Sequence, residues 1–130
     1  MTTDPQQLFY RMKIHQRIGE TEKSVVDGLK LLEMIGESPK SSHLSVTKAG
    51  ALTLLNRPHE AMKVLESISN TQDIETHLVY IERCRAYILM GNWENALEDA
   101  IRVKQSNYIK ISAWITSANI EISRYFILLF

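Results

Sequence analysis

Apolar residues recur at helical spacing along this chain, and Gly, Pro and Asn break the pattern at regular intervals. Asp4-Pro5 offers an acidic N-cap followed by proline at the first helical position, where its missing N–H removes no bond. Leu8, Met12 and Ile18 follow, with His15 partly on the same side, until Gly19. A second helix starts at Thr21 and carries Val25, Leu29, Leu32 and Met34-Ile35 toward Gly36. Residues 36–39 form a break. A third helix is expected from about Ser42 to Leu55, with Leu44, Ala51, Leu52 and Leu55 apolar. Asn56-Arg57-Pro58 turns into a fourth, Pro58 to about Ser69, which puts Ala61, Met62, Leu65 and Ile68 on one side. After a polar turn at 70–73 a fifth spans roughly Ile74 to Met90. Gly91-Asn92 ends it, and Asn92 caps a sixth that holds Ala96, Leu97, Ala100 and Val103. A seventh begins near Lys110 and runs through Trp114 and Ala118. Alternating strand patterns and Asn-Gly or Asp-Gly hairpin turns are missing, so the expected class is all-α with about seven helices.

The helices pair, and the pairs repeat. The run from Tyr87 to Ala96 has a helix end, a Gly turn, an aromatic residue and then a small residue on the next helix. The same frame returns from Leu52 to Ala61 and, more weakly, from His15 to Ser24, at offsets of 35 and 37 residues. This pattern resembles the tetratricopeptide repeat, a helix pair of about 34 residues, over nearly the whole chain. Tyr80, Cys84, Tyr87, Gly91, Trp93, Ala96, Ala100 and Val103 stand at that family's signature positions in the third copy, Val103 replacing the usual Ala. The second copy matches at Ala49, Leu52, Ala61, Leu65 and Ile68. The first keeps Leu8, Gly19, Ser24 and Leu31, but Met12 and His15 depart from the pattern. Gly36, Asp73 and Tyr108 stand where the family has its junction proline. The resemblance implies one domain over residues 1–130, a right-handed superhelical solenoid. Its repeats would cover about 5–37, 42–75 and 77–110, with a terminal helix at 111–130. Physically, small residues such as Ala49, Cys84, Ala61, Ala96 and Ala100 let helices approach; bulkier ones there would cost roughly 1–3 kcal/mol each.

In the family, the first helix of each pair lines a concave groove that binds a peptide or helix of another protein. The resemblance assigns Phe9, Lys13 and Gln16 to that lining from the first copy, and Val46, Gly50 and Thr53 from the second. It assigns Ile81, Arg85 and Ile88 from the third, and Ile115, Asn119 and Ile122 from a partial fourth. The expected surface is an apolar track from Phe9 through Val46, Ile81 and Ile115, with Lys13 and Arg85 beside it. The alternative at each position is plain core between adjacent pairs. One subset of the family clamps the C-terminal carboxylate of chaperones with paired Lys, Asn and Arg donors. Here those positions read Phe9 and Lys13, then Gly50, then Ile81 and Arg85, so that partner is not expected.

Composition narrows the chemistry. Fifteen basic and fifteen acidic side chains balance, without the basic excess that pairs with phosphates, so a nucleic-acid partner is not expected. His15, His43, His59 and His77 never fall three or four residues apart, so no helix presents a metal pair; no cofactor is implied. Cys84 is the one cysteine, at a small-residue packing position where a buried thiol is inert. Glu94, Glu98 and Asp99, and likewise Glu82 beside Arg83 and Arg85, read as solvated helix faces. No Gly-rich phosphate loop or nucleophile–base pair stands out, so an enzyme is not expected.

The N-terminus has no apolar leader and no run nears the roughly 20 apolar residues of a membrane span, so the cytosol is the expected address and the nucleus the second. The last residues are the exception: Ile120, Ile122 and the run Tyr125 to Phe130 leave no polar face to close a solenoid. Two outcomes stand equally. Either the chain is a piece of a longer array cut inside a fourth repeat, or the apolar end docks on a second copy as a homodimer. A third is contact with a membrane, a partner or the chain itself. The expected function is a non-catalytic protein-binding adaptor. The alternative is a scaffold subunit that assembles through its ends and convex face.

Overall fold

The computed structural model describes residues 4–68 and 76–105, and they form six helices. These are α1 (Pro5–Arg17), α2 (Thr21–Ile35), α3 (Ser42–Leu54), α4 (Pro58–Glu66), α5 (Thr76–Leu89) and α6 (Trp93–Gln105). No strand occurs among the described residues. The seventh helix expected from Lys110 lies outside them, as do Ile115, Asn119 and Ile122. No described helix is long and apolar enough to cross a membrane.

Local chemistry explains where the helices begin. Asp4 takes extended geometry and accepts from Gln6 N at 3.0 Å, with Pro5 at the start of α1. Ser41 caps α3 by accepting from Leu44 N at 3.2 Å. The end of α4 comes earlier than the apolar pattern suggests, at Glu66 instead of Ser69. Ser67 Oγ donates to the Val64 carbonyl at 2.6 Å, a local bond that competes with further helix.

The turns inside the three hairpins are one structure built three times. Gly19, Asn56 and Gly91 take positive φ of 86, 62 and 75°. Their N–H groups bond Gln16, Thr53 and Ile88 carbonyls, and the next residues, Glu20, Arg57 and Asn92, bond His15, Leu52 and Tyr87 carbonyls. This is the paired-bond closure of a helix C-terminus around a left-handed residue. It recurs at the same offsets, 37 and 35 residues, as the sequence frame. The described residues are therefore a helical repeat.

Within the hairpins α1 packs on α2, α3 on α4 and α5 on α6. Between them α3 packs on α1 and α2, and α5 on α3 and α4. One core cluster holds Leu8, Phe9, Met12, Leu31, Ile35 and Ala51; the next holds Ala49, Leu52, Ala61, Met62, Leu65 and Ala86. Each mixes a hairpin with the leading helix of its successor. The side of α2 that faces the core differs from the one its largest apolar residues suggest. Ser24, Asp27, Gly28, Leu31 and Ile35 are buried, while Val25, Leu29 and Met34 are exposed. Close approach is the reason: a Cβ on Gly28 would lie 2.5 Å from the Met12 methyl and 3.1 Å from a Leu55 methyl. Small residues at 24 and 28 admit α1 and α3, and Leu31 and Ile35 fill the space one and two turns on.

A polar clasp, invisible in the apolar pattern, ties the outer hairpins. Arg11 grips Asp27 through Nε and Nη2 at 2.8 and 2.6 Å, and Arg83 grips Asp99 in the same way at 2.7 and 2.6 Å. Asp99, read from sequence as solvated, is 1% exposed and also accepts from Arg102. The second hairpin has Lys48 and Val64 at the corresponding places, and Lys48 instead donates to the Gly36 carbonyl at 2.9 Å.

Candidate functional site

Since α1, α3 and α5 touch in succession, residues four apart on each share one surface. Phe9 and Lys13 come from α1, Val46 and Gly50 from α3, and Ile81, Glu82, Arg85 and Ile88 from α5. Phe9 and Glu82 meet at Gly50, and Lys13 and Arg85 stand next to them. A Cβ on Gly50 would overlap the Cζ tip of Phe9 and stand 3.2 Å from Glu82 Oε2. Glycine at this point lets the Phe9 ring lie against the α3 backbone with the Glu82 carboxylate alongside.

Charge gathers at the same place. Glu82, expected to be solvated, is buried; its Oε1 accepts from Arg85 at 3.0 Å. Its Oε2 is also buried and accepts no hydrogen bond from the described residues. The Lys13 ammonium sits over the Phe9 ring, 4.3 Å from its centroid. Burial pulls the Lys13 pKa down to about 8, with Arg85 and Arg17 adding to the shift and Glu82 opposing it. Two cations thus flank one carboxylate beside an aromatic ring, in surroundings dry enough to disfavour the second positive charge. Such a place can pair a partner's carboxylate with Lys13, while Glu82, closed off from solvent, holds Arg85 beside it.

The shifted lysine has a consequence for stability. Its folded pKa, about 8, lies below the ordinary value of 10.5, so between these the unfolded chain holds more protons on this group. Stability from this group should rise as pH climbs from about 8 toward 10.5. Urea titrations of wild type and Lys13→Met across that range should show the rise in wild type and its loss in the variant. Parallel pH profiles for the two would overturn the assignment.

The apolar track expected from sequence is only partly open. Phe9 and Ile81 are 4% exposed. Phe9 belongs to the core shared by the first hairpin and α3, and Ile81 packs with Val103 of α6. Val46 and Ile88 are half-buried at the edges of clusters, and Thr53 is buried with its hydroxyl bonded to the Ala49 carbonyl at 2.9 Å. Gln16 is exposed. The polar half of the expected lining, Lys13 and Arg85, is brought together; the apolar half serves largely as packing. Sequence reading missed Glu82 as a member. The signal available was its place beside Ile81, one turn before Arg85, on the face that meets Gly50.

Cys84 is 2% exposed, and its thiol donates to the Ala96 carbonyl at 3.3 Å. Ser24 Oγ makes the mirrored bond to the Met12 carbonyl in the first hairpin, at 3.0 Å. Burial pushes the Cys84 pKa up to about 12. Alkylation by iodoacetamide should therefore proceed only as fast as the third hairpin opens, and full speed should return in denaturant. Labelling of the native protein at the rate of a free thiol would contradict this packing. No group of three or more His, Cys, Asp or Glu among the described residues is arranged to hold a metal ion.

Comparison with protein-family models, with curated proteins and with solved structures finds no match to this chain.

Proposed function

We propose that this chain is a stack of tetratricopeptide-like hairpins acting as a non-catalytic adaptor. The concave side formed by α1, α3 and α5 takes a partner's peptide or helix. Several features support the stack: turns of one type at offsets of 37 and 35 residues, buried alanines at 49, 61, 86 and 96, and packing between successive hairpins. The observation that carries the binding reading is the gathering of Lys13, Arg85 and the buried Glu82 carboxylate beside Phe9. A matching ligand segment carries an acidic side chain that pairs with Lys13.

A panel of acidic peptides and their amide counterparts, read by fluorescence anisotropy, tests this. Acidic members should bind more tightly in low salt, and Lys13→Gln should weaken them about tenfold, the effect of losing one partly desolvated charge pair. Equal binding of acidic and amide peptides, or no change in Lys13→Gln, would remove this surface from consideration. Lys13 is the residue to change. A charge at the buried Ile81 would disturb the fold before it reported on binding.

The second reading is a scaffold subunit assembling through its ends and convex face. It is favoured by Tyr10, Ile14 and Ile18, which are 54, 57 and 63% exposed along one side of α1. Loss of partner recovery on changing that stripe, with Lys13 variants silent, would select it.

A further inference from the structure

In the second and third hairpins, one face of the leading helix is covered by the hairpin before it. The repeat offsets carry Ile14 to Ala51 and Ala86, Ile18 to Leu55 and Met90, and Tyr10 to Thr47 and Glu82. Ala51 is fully buried in the core cluster of the first hairpin, and Ala86 in that of the second. Leu55 and Met90 pack at the edges of the same two clusters. Thr47 Oγ1 donates to Gln6 Oε1 of α1 at 3.2 Å, and Glu82 Oε2 lies against Gly50 of α3. All three positions are thus stacking positions in both later copies. In the first copy the same three stand more than half exposed, and they are the large residues Tyr10, Ile14 and Ile18.

We propose that this stripe docks a second copy of the chain head to tail, receiving that copy's apolar stretch within residues 111–130. The internal copies say what kind of surface covers the stripe: a different face of a neighbouring helical unit, not the stripe itself. Side-chain size favours a separable partner over one more repeat at the usual spacing. Isoleucine where the later copies have alanine holds a facing helix farther off, within the 8–10 Å range of helix separations. Apolar chemistry matches, because residues 125–130 are Tyr, Phe, Ile, Leu, Leu and Phe without a charge. Fifteen positive and fifteen negative side chains leave no net repulsion between copies. A contact between unlike faces continues into rings or open chains, whereas a contact between like faces stops at two.

Sedimentation of the full chain across a dilution series, with two variants, tests this. Ile14→Lys changes the exposed stripe and Leu128→Lys the apolar stretch; circular dichroism checks that both remain helical. Wild type should associate reversibly, passing the mass of a dimer as concentration rises. Each variant alone should associate at least about tenfold more weakly. The two mixed should form one-to-one pairs, since the mixture restores a single intact junction. A wild type that is monomeric throughout overturns the proposal, as does either variant assembling like wild type. A mixture no more associated than its separate components does so too, and in an associating wild type it points to pairing of like faces.

Discussion

Leu31→Ala should lower the unfolding free energy by about 2–5 kcal/mol, while Leu29→Ala should change it by less than about 0.5 kcal/mol. Leu31 is fully buried in the first core cluster; Leu29, two positions earlier on the same helix, is 53% exposed. The first substitution removes buried methyl groups and leaves a cavity walled by Leu8, Met12 and their neighbours, whose positions are tied by the Ser24–Met12 hydrogen bond. The second only trims a side chain already in water. Urea denaturation of both variants measures the difference directly. Equal losses, or the reverse order, would mean that α2 is rotated from the orientation described. For a small domain the larger loss is a substantial part of total stability, so partial unfolding at ambient temperature is expected.

Asp99→Ala is the second large effect. The carboxylate is 1% exposed and accepts from Arg83 at both oxygens and from Arg102 at Oδ1 as well. Removing it strands Arg83 between Tyr80 and Tyr87, whose rings lie 5.3 and 5.9 Å from the guanidinium. Stranding one member of a buried pair costs about 3–5 kcal/mol, and partial hydration of Arg83, whose side chain is 28% exposed, places this case near 3 kcal/mol. Asp27→Ala should cost less, because its partner Arg11 is 48% exposed and meets water readily. Thermal melts of both variants decide it; a larger loss for Asp27→Ala would show that burial of the arginine does not set the cost. The Arg83→Met, Asp99→Leu double variant should recover part of the loss, since apolar groups of similar size remove the stranded charge.

The helices and their turns were legible because their causes are local. Asp4-Pro5 sets a helix start through neighbouring backbone groups alone, and Gly19, Asn56 and Gly91 occupy left-handed turns that few other residues tolerate. The early end of α4 was less legible. There the Ser67 hydroxyl takes the Val64 carbonyl and Ile68 N bonds the Leu65 carbonyl instead, against an apolar pattern that continues to Ile68. The charged clasps left a trace that apolar periodicity does not register: Arg11 with Asp27 and Arg83 with Asp99 share a spacing of sixteen residues. Of the candidate site, Lys13 and Arg85 were legible by their place on the leading helices. Glu82 was not, since a glutamate beside two arginines on a helix is ordinarily in water.

From the sequence alone came the helical class, the hairpin pairing, the repeat offsets of 37 and 35 residues and the need for small residues at the helix contacts. Those follow from backbone conformational limits and from periodicity, which act over a few residues. Tertiary structure alone decided the face α2 turns inward, the burial of Asp99 and Glu82, and the closing of Phe9 and Ile81 into cores. These depend on how near helices far apart in the chain approach one another. That distance is set jointly by groups such as Gly28, Met12 and Leu55, or Gly50, Phe9 and Glu82, which only the folded chain brings together.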